Sequence, residues 1–264
     1  SYNFMESLQV YTSYGRNFIR PYSYQPLLTL YNANRSTFQK AGVTLQDMFD
    51  GYDMEISNNF ELGARFKQDR FEIMPTLFYS TNSDLLTTVY DPRVKLSYQQ
   101  NIGDATGYGL EVETTAFITD HITLFVNPTY CILTYDDDLT YQGATLDTEG
   151  KQVVDTPEWM VKAGVIFRYG GFEVVPMVRY IGKRYGDAAH TESVGDYFLG
   201  DLKIDYTFPK IRYMDAFKLS LELQNIFNED YISLINASDD SRDGSTSYYA
   251  GAPFTALLKA SMAF

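Results

Sequence analysis

Alternation of apolar and polar residues with a period of two recurs along the chain and predicts β-strands. Ten segments carry it, at about residues 6–19, 58–68, 70–88, 105–118, 121–135, 157–169, 171–185, 196–208, 216–233 and 254–264. Most exceed the roughly 5–6 residues of a soluble strand. They match the roughly 9–11 residues that cross a bilayer at a tilt. In 58–68, Phe60, Leu62, Ala64 and Phe66 alternate with Glu61, Gly63, Arg65 and Lys67. In 157–169, Trp159, Val161, Ala163, Val165, Phe167 and Tyr169 alternate with Met160, Lys162, Gly164, Ile166 and Arg168. Segments 196–208 and 216–223 split the same way. One side carries no charge, and the other carries many charges of both signs.

The connections alternate in length. Short turns are expected at 67–70, 119–121, 169–171 and 209–215, and long polar loops at about 20–57, 89–104, 136–156, 186–195 and 234–253. Together these features predict an all-β fold, an antiparallel transmembrane β-barrel with short periplasmic turns and long extracellular loops. Oily residues would face lipid and charged ones the lumen. Aromatics such as Tyr79, Tyr108, Tyr130, Trp159, Tyr169, Phe172 and Tyr206 fall at the ends of the oily stripes, where an interfacial girdle belongs. Pro75, Pro128 and Pro176 recur in mid-strand. Proline cannot donate to a ladder, so a bulge or a locally broken ladder is expected at each.

Composition narrows the function. No stretch approaches the roughly 18 apolar residues of a spanning helix, a test that is blind to barrels. The net charge of −13 argues against a nucleic-acid partner. A single Cys131 and two histidines, His121 and His190, leave little for disulfide, metal or His-base chemistry. The chain opens SYNFMES, without an initiator Met or a signal-like apolar stretch, and reads as a processed or excised piece. No nucleophile elbow, phosphate loop or metal-ligand spacing is found, so no catalytic residue, metal or cofactor is expected. The acidic runs Asp136–Asp138 and Asp239, Asp240 and Asp243 read as solvated loop rather than as a calcium site. Loop tyrosines Tyr90, Tyr98, Tyr141, Tyr185, Tyr248 and Tyr249 are candidates to line a ligand vestibule. Arg179, Lys183 and Arg184 are candidates to meet an anionic ligand group. On the charged side, Glu61, Glu72, Glu111, Glu113, Glu173, Asp201, Asp205 and Glu222 stand against Arg65, Lys67, Lys162, Arg168, Arg179, Lys203, Lys218 and Lys259. The signs balance, so most of the −13 is expected in the loops.

Several stretches carry a family likeness. LQVYTSYGRNFIRP (8–21) resembles the strand-plus-Arg-Pro segment of TonB-dependent outer-membrane receptors. SNNFELGARF (57–66) resembles their E-x-G strand entry, and GYGLEVETTAF (107–117) their G-x-E-x-E strand. LELQNIFNEDY (221–231) resembles the N-L-F-D-x-x-Y segment of their penultimate strand. The closing strand, ending on Phe264, is similar to their assembly-signal end. The resemblance implies that residues 1–264 are the C-terminal part of a barrel of about 22 strands. The plug domain and the earlier strands would lie outside this chain. It implies an outer-membrane receptor that takes up an iron chelate, cobalamin or an oligosaccharide with TonB-coupled energy. Glu61, Arg65, Glu111, Glu113, Lys162, Arg168, Lys203 and Glu222 would then face the plug, and Phe264 would be read by the barrel-assembly machinery. Lipid, lipopolysaccharide and a small-molecule ligand complete the implied partners. A passive porin, a soluble β-sandwich binding module and a small barrel enzyme are the alternatives.

Overall fold

The computed structural model describes residues 1–21, 23–91, 93–141, 144–209, 216–236 and 246–263. No helix among them is long and apolar enough to cross a membrane. Eleven strands form one antiparallel sheet: β1 (Tyr2–Met5), β2 (Leu8–Ile19), β3 (Glu55–Gln68), β4 (Phe71–Ser83), β5 (Ala105–Phe117), β6 (Ile122–Tyr135), β7 (Trp159–Tyr169), β8 (Phe172–Ile181), β9 (Tyr197–Phe208), β10 (Ala216–Gln224) and β11 (Thr255–Ala263). Each strand pairs with its neighbour in sequence, the simplest meander.

The ten expected strands are present, with four differences. The short β1 precedes them and turns into β2 through Glu6 and Ser7, at the same end as the other short turns. The segment 70–88 stops at Ser83 because Asp84 adopts φ 58°, which a strand cannot continue. The segment 216–233 stops at Gln224 because Asn225 adopts φ 50°. Asn225 is buried there, and its amide donates to the carbonyls of Glu229 (2.9 Å) and Ala252 (3.0 Å). The segment 171–185 stops at Ile181, and Arg184–Tyr185 pairs instead with Ser193–Val194.

Each mid-strand proline breaks a ladder on one side only. Between β3 and β4 the pairing runs to Gly63↔Thr76 and resumes at Phe66↔Ile73, skipping Pro75. The β5–β6 ladder skips Pro128 between Glu111↔Thr129 and Thr114↔Val126. The β7–β8 ladder skips Pro176 between Gly164↔Met177 and Phe167↔Val174. The register is unchanged across all three gaps, so these are broken ladders rather than bulges. The gap always faces the preceding strand, while the ladder to the following strand runs through. At Pro128 a side chain substitutes, with the Thr114 amide donating to Asn127 Oδ1 at 3.2 Å.

Register joins the apolar positions into one continuous face. Phe60, Tyr79, Tyr108 and Ile132 form one row, Leu62, Leu77, Leu110, Tyr130 and Trp159 another, and Ile204, Leu221 and Leu258 a third. No charged residue stands on this face from β3 to β11. Aromatic rows bracket the band: Phe172 and Tyr206 pair at one end, and Tyr180 and Phe198 at the other. Eight residues separate Phe172 from Tyr180 on β8. On a strand tilted by about 40° that spacing spans roughly 20 Å, near the height of a lipid-facing band. The charged face is the more enclosed one. Asp205 is 2% exposed, whereas Leu62 is 54% and Leu258 77% exposed.

Where described, the long connections are folded rather than polar coil. Residues 20–54 hold α1 (Gln25–Ala33), α2 (Arg35–Lys40) and α3 (Leu45–Asp50). Thr44 and Asp47 form a capping box at the start of α3. These helices pack on the hairpin Leu86–Asp91/Leu96–Asn101 around a small core of Leu27, Tyr31, Phe38, Met48, Val94 and Tyr98. Inside it, Asp91 is fully buried and accepts hydrogen bonds from Arg93 Nη2 (2.7 Å) and the Tyr98 hydroxyl (2.9 Å). Burial pushes the Asp91 carboxyl up, but the bonds from Arg93 and Tyr98 outweigh it and hold it below the usual carboxylate range.

Candidate functional site

Two surfaces carry polar chemistry: the charged wall of the sheet and the roots of the loops above it. On the wall most charges are matched by a neighbour. Arg65 meets Glu72 at 2.6 Å, Arg168 meets Glu173 at 2.6 Å and Arg179 meets Asp201 at 3.0 Å. Asp205 lies between Lys203 (3.0 Å) and Lys218 (2.6 Å), and Lys259 meets Glu222 at 2.8 Å. Glu61 accepts a hydrogen bond from Ser13 at 2.8 Å. Glu111, Glu113 and Lys162 form no ion pair among the described residues. Glu61 likewise has no ion partner among the described residues.

At the loop roots the central feature is Arg184. Its guanidinium is 4% exposed, donates to Asp155 Oδ1 at 2.7 Å and to the Ile232 carbonyl, and lies 5.6 Å from the centre of the Tyr197 ring. The second Asp155 oxygen accepts from the Ile235 amide at 3.3 Å. The pair therefore ties together the β6–β7, β8–β9 and β10–β11 connections. Asp187 organises its own loop by accepting from the amides of Thr191 (3.1 Å) and Glu192 (2.7 Å). Tyr185 is stacked on His190, with centroids 3.5 Å apart, and the Lys183 ammonium lies 4.6 Å from its centre. The His190 imidazole bonds the Gln152 carbonyl at 2.7 Å. Tyr248 donates to Glu192, and partial desolvation of its hydroxyl followed by that hydrogen bond pushes its phenol up to about 12.

Between these loops lies a half-open cavity of about 530 Å³. Four of the five long connections contribute to it, through Leu86, Leu139, Asp187 and Ile235 among others, and Glu55 reaches it from the start of β3. Its size is that of a small-molecule site. The five connections (20–54, 84–104, 136–158, 182–196 and 225–254) hold 21 acidic and 9 basic residues, or −12 of the chain's −13. The expected concentration of negative charge in the loops is thus present.

The sequence-derived candidates scatter. Tyr98 packs inside the helical core, and Arg184 is buried with its charge already met by Asp155. Arg179 is committed to Asp201 on the wall. Tyr248 and Tyr249 are exposed on the loop surface. The side chains of Tyr90 and Tyr141, the acidic Asp239, Asp240 and Asp243, and Phe264 lie outside the described residues. Asp136 and Asp138 act as hydrogen-bond acceptors, Asp138 for the amides of Thr148 (2.9 Å) and Glu149 (3.1 Å). Nothing local in the sequence marks Asp155. Its partner is 29 residues away, and only its φ of 57° sets it apart.

A meander of long strands, oily on one face and charged on the enclosed one, with folded loops at one end, is the geometry of an outer-membrane receptor barrel. The family "TonB dependent receptor-like, beta-barrel" matches residues 1–226. The chain belongs to the TonB-dependent receptor family. It is 24% identical over 136 residues to the ferrichrome outer membrane transporter/phage receptor of Escherichia coli (strain K12), covering 50% of this chain and 17% of that protein. It is 28% identical over 143 residues to the ferrioxamine receptor of Yersinia enterocolitica, covering 53% of this chain and 19% of that one. In fold it is similar to the ferric yersiniabactin uptake receptor FyuA of Yersinia pestis. The TM-score is 0.68 at 17% identity, over 98% of this chain and 35% of the other. The matches thus span less than a fifth of the two curated relatives and about a third of the solved one. As a TonB-dependent receptor barrel segment, the chain is an outer-membrane protein of a transporter and receptor family rather than an enzyme.

Proposed function

We propose that the native molecule is an energised outer-membrane receptor for a scarce nutrient, an iron chelate foremost, and that this chain supplies the C-terminal part of its barrel. The observation that carries the reading is the pairing of a charge-balanced wall with a loop-built cavity above it. A passive channel selective for one sign of ion favours a ring of that sign. A balanced wall with Glu111, Glu113 and Lys162 unmatched suits a lumen filled by polar protein, here a plug domain, and among the described residues the edges β1 and β11 of the sheet are open to further strands. Each unpaired backbone group in lipid costs several kcal/mol, which further strands of a larger barrel would remove. In this reading the loops gather the ligand, the wall grips the plug, and TonB pulls on the plug.

The test is uptake of radiolabelled ferric chelates by cells lacking the gene and complemented with its full-length form, with and without TonB. Accumulation that needs both the gene and TonB supports the reading. Conductance of the purified protein in planar bilayers without ligand or TonB, together with TonB-independent uptake, would replace it with a passive porin.

A further inference from the structure

Among its described lining residues the cavity between the loops carries charge of one sign. Glu55 and Asp187 line it beside Leu86, Leu139 and Ile235, Asp155 on the same wall is neutralised by Arg184, and no lysine or arginine is among its described lining residues. Two cations of the same loops are already engaged. Arg184 is spent on Asp155 at 2.7 Å, and the Lys151 ammonium contacts Asp147 (3.3 Å) and the Ala189 carbonyl (3.3 Å). The surrounding loops add a long-range field, since they hold 21 acidic against 9 basic residues. Asp84 sits next to the lining residue Leu85, and its carboxyl is pushed up by burial and then by the charges of Asp104 and Asp53. An anion entering this space would lose water without gaining a partner, which is the costly case. A cation would be drawn in and its apolar body accommodated.

We propose that this cavity selects by charge, admitting an apolar-bodied ligand that bears a positive charge and excluding anionic ones. The proposal rests on the reading of the loops as a ligand-gathering surface.

The first test needs no knowledge of the ligand. In the full-length receptor carrying Cys131→Ser, Ala188→Cys places one thiol on the cavity wall, and Thr88→Cys repeats the measurement from a different loop. Each is reacted with methanethiosulfonates bearing a trimethylammonium, a hydroxyl or a sulfonate group, with rates normalised to 2-mercaptoethanol. The cationic reagent is expected to react at least tenfold faster than the anionic one. The ratio should fall at least threefold when Glu55→Gln and Asp187→Asn remove charge but keep hydrogen-bonding capacity. A ratio near one, or faster reaction of the anion, overturns the proposal. The second test measures fluorescence quenching by ferric trihydroxamates that differ only in a terminal ammonium, acetamide or succinyl carboxylate. Binding at least tenfold tighter for the ammonium form than for the carboxylate supports the proposal, and equal or tighter binding of the carboxylate form overturns it. Cation preference at the thiols with no trihydroxamate bound upholds charge selection and counts against the iron-chelate reading for that class.

Discussion

Replacing Asp155 by alanine removes the carboxylate that neutralises Arg184. The guanidinium is 4% exposed, Asp155 is 24% exposed, and the contact is 2.7 Å. Deleting one partner of a buried pair costs about 3–5 kcal/mol, because the other charge is left uncompensated. Residual access of water from the Asp155 side places this pair at the lower end of that range. The Ile235 amide also loses its acceptor at 3.3 Å, which adds up to about 1 kcal/mol. A total of about 3–4 kcal/mol raises the opening equilibrium of the three joined loops roughly a hundredfold to a thousandfold. Hydrogen exchange followed by mass spectrometry reads this directly in peptides covering 184–194 and 231–236. Both should lose protection together, while peptides of β9 keep theirs. The double variant Asp155→Leu/Arg184→Met, which removes both charges, should recover most of the loss. Protection within twofold of the wild type in Asp155→Ala would refute the view that this pair clamps the loops.

Other outcomes follow from the same structure. A Cβ on Gly164 would lie 2.8 Å from the Pro176 carbonyl and 2.7 Å from the Phe125 ring. Gly164→Val should therefore destabilise the barrel by about 1–3 kcal/mol, seen as a lower midpoint of heat-modifiable migration in detergent gels; an unchanged midpoint would count against the packing described. Asp91 is held below its ordinary value in the folded cap, so its contribution is complete above the unfolded value of about 3.9 and is lost as pH falls through the folded one. Proteolysis of the helical cap should rise only in that acid range, and Asp91→Asn should abolish the acid dependence while lowering stability at neutral pH. Phe264→Ser should reduce the amount of protein inserted in the outer membrane without reducing synthesis, and equal amounts in fractionated membranes would refute a role in assembly.

The sheet was legible because its signal is long and redundant. Strands of 9–14 residues repeat the same oily-versus-charged split, and a shift of one residue would invert every face. The prolines were legible because their defect is chemical and needs no context. The loops were not, since α2 and α3 are only six residues each and are held by tertiary contacts to a hairpin some fifty residues away. A hint existed in the capping pair Thr44 and Asp47 and in Leu27 and Tyr31 one helical turn apart. In the sequence Arg184 and Tyr98 read as ligand contacts because a loop cation and a loop ring usually face solvent. Here each has a carboxylate partner that pattern alone does not reveal. The cavity is assembled from five segments, so no local motif encodes it.

The central claim is that apolar residues face lipid and charged residues face the lumen. Spin labels at neighbouring positions test it most directly, with Leu221→Cys and Glu222→Cys, and Leu110→Cys and Glu111→Cys, compared in reconstituted full-length receptor lacking Cys131. The account predicts that labels at 221 and 110 collide mainly with oxygen dissolved in lipid, and that those at 222 and 111 favour a water-soluble nickel chelate or are shielded from both. Oxygen contact at 222 and 111 with nickel contact at 221 and 110 would contradict it.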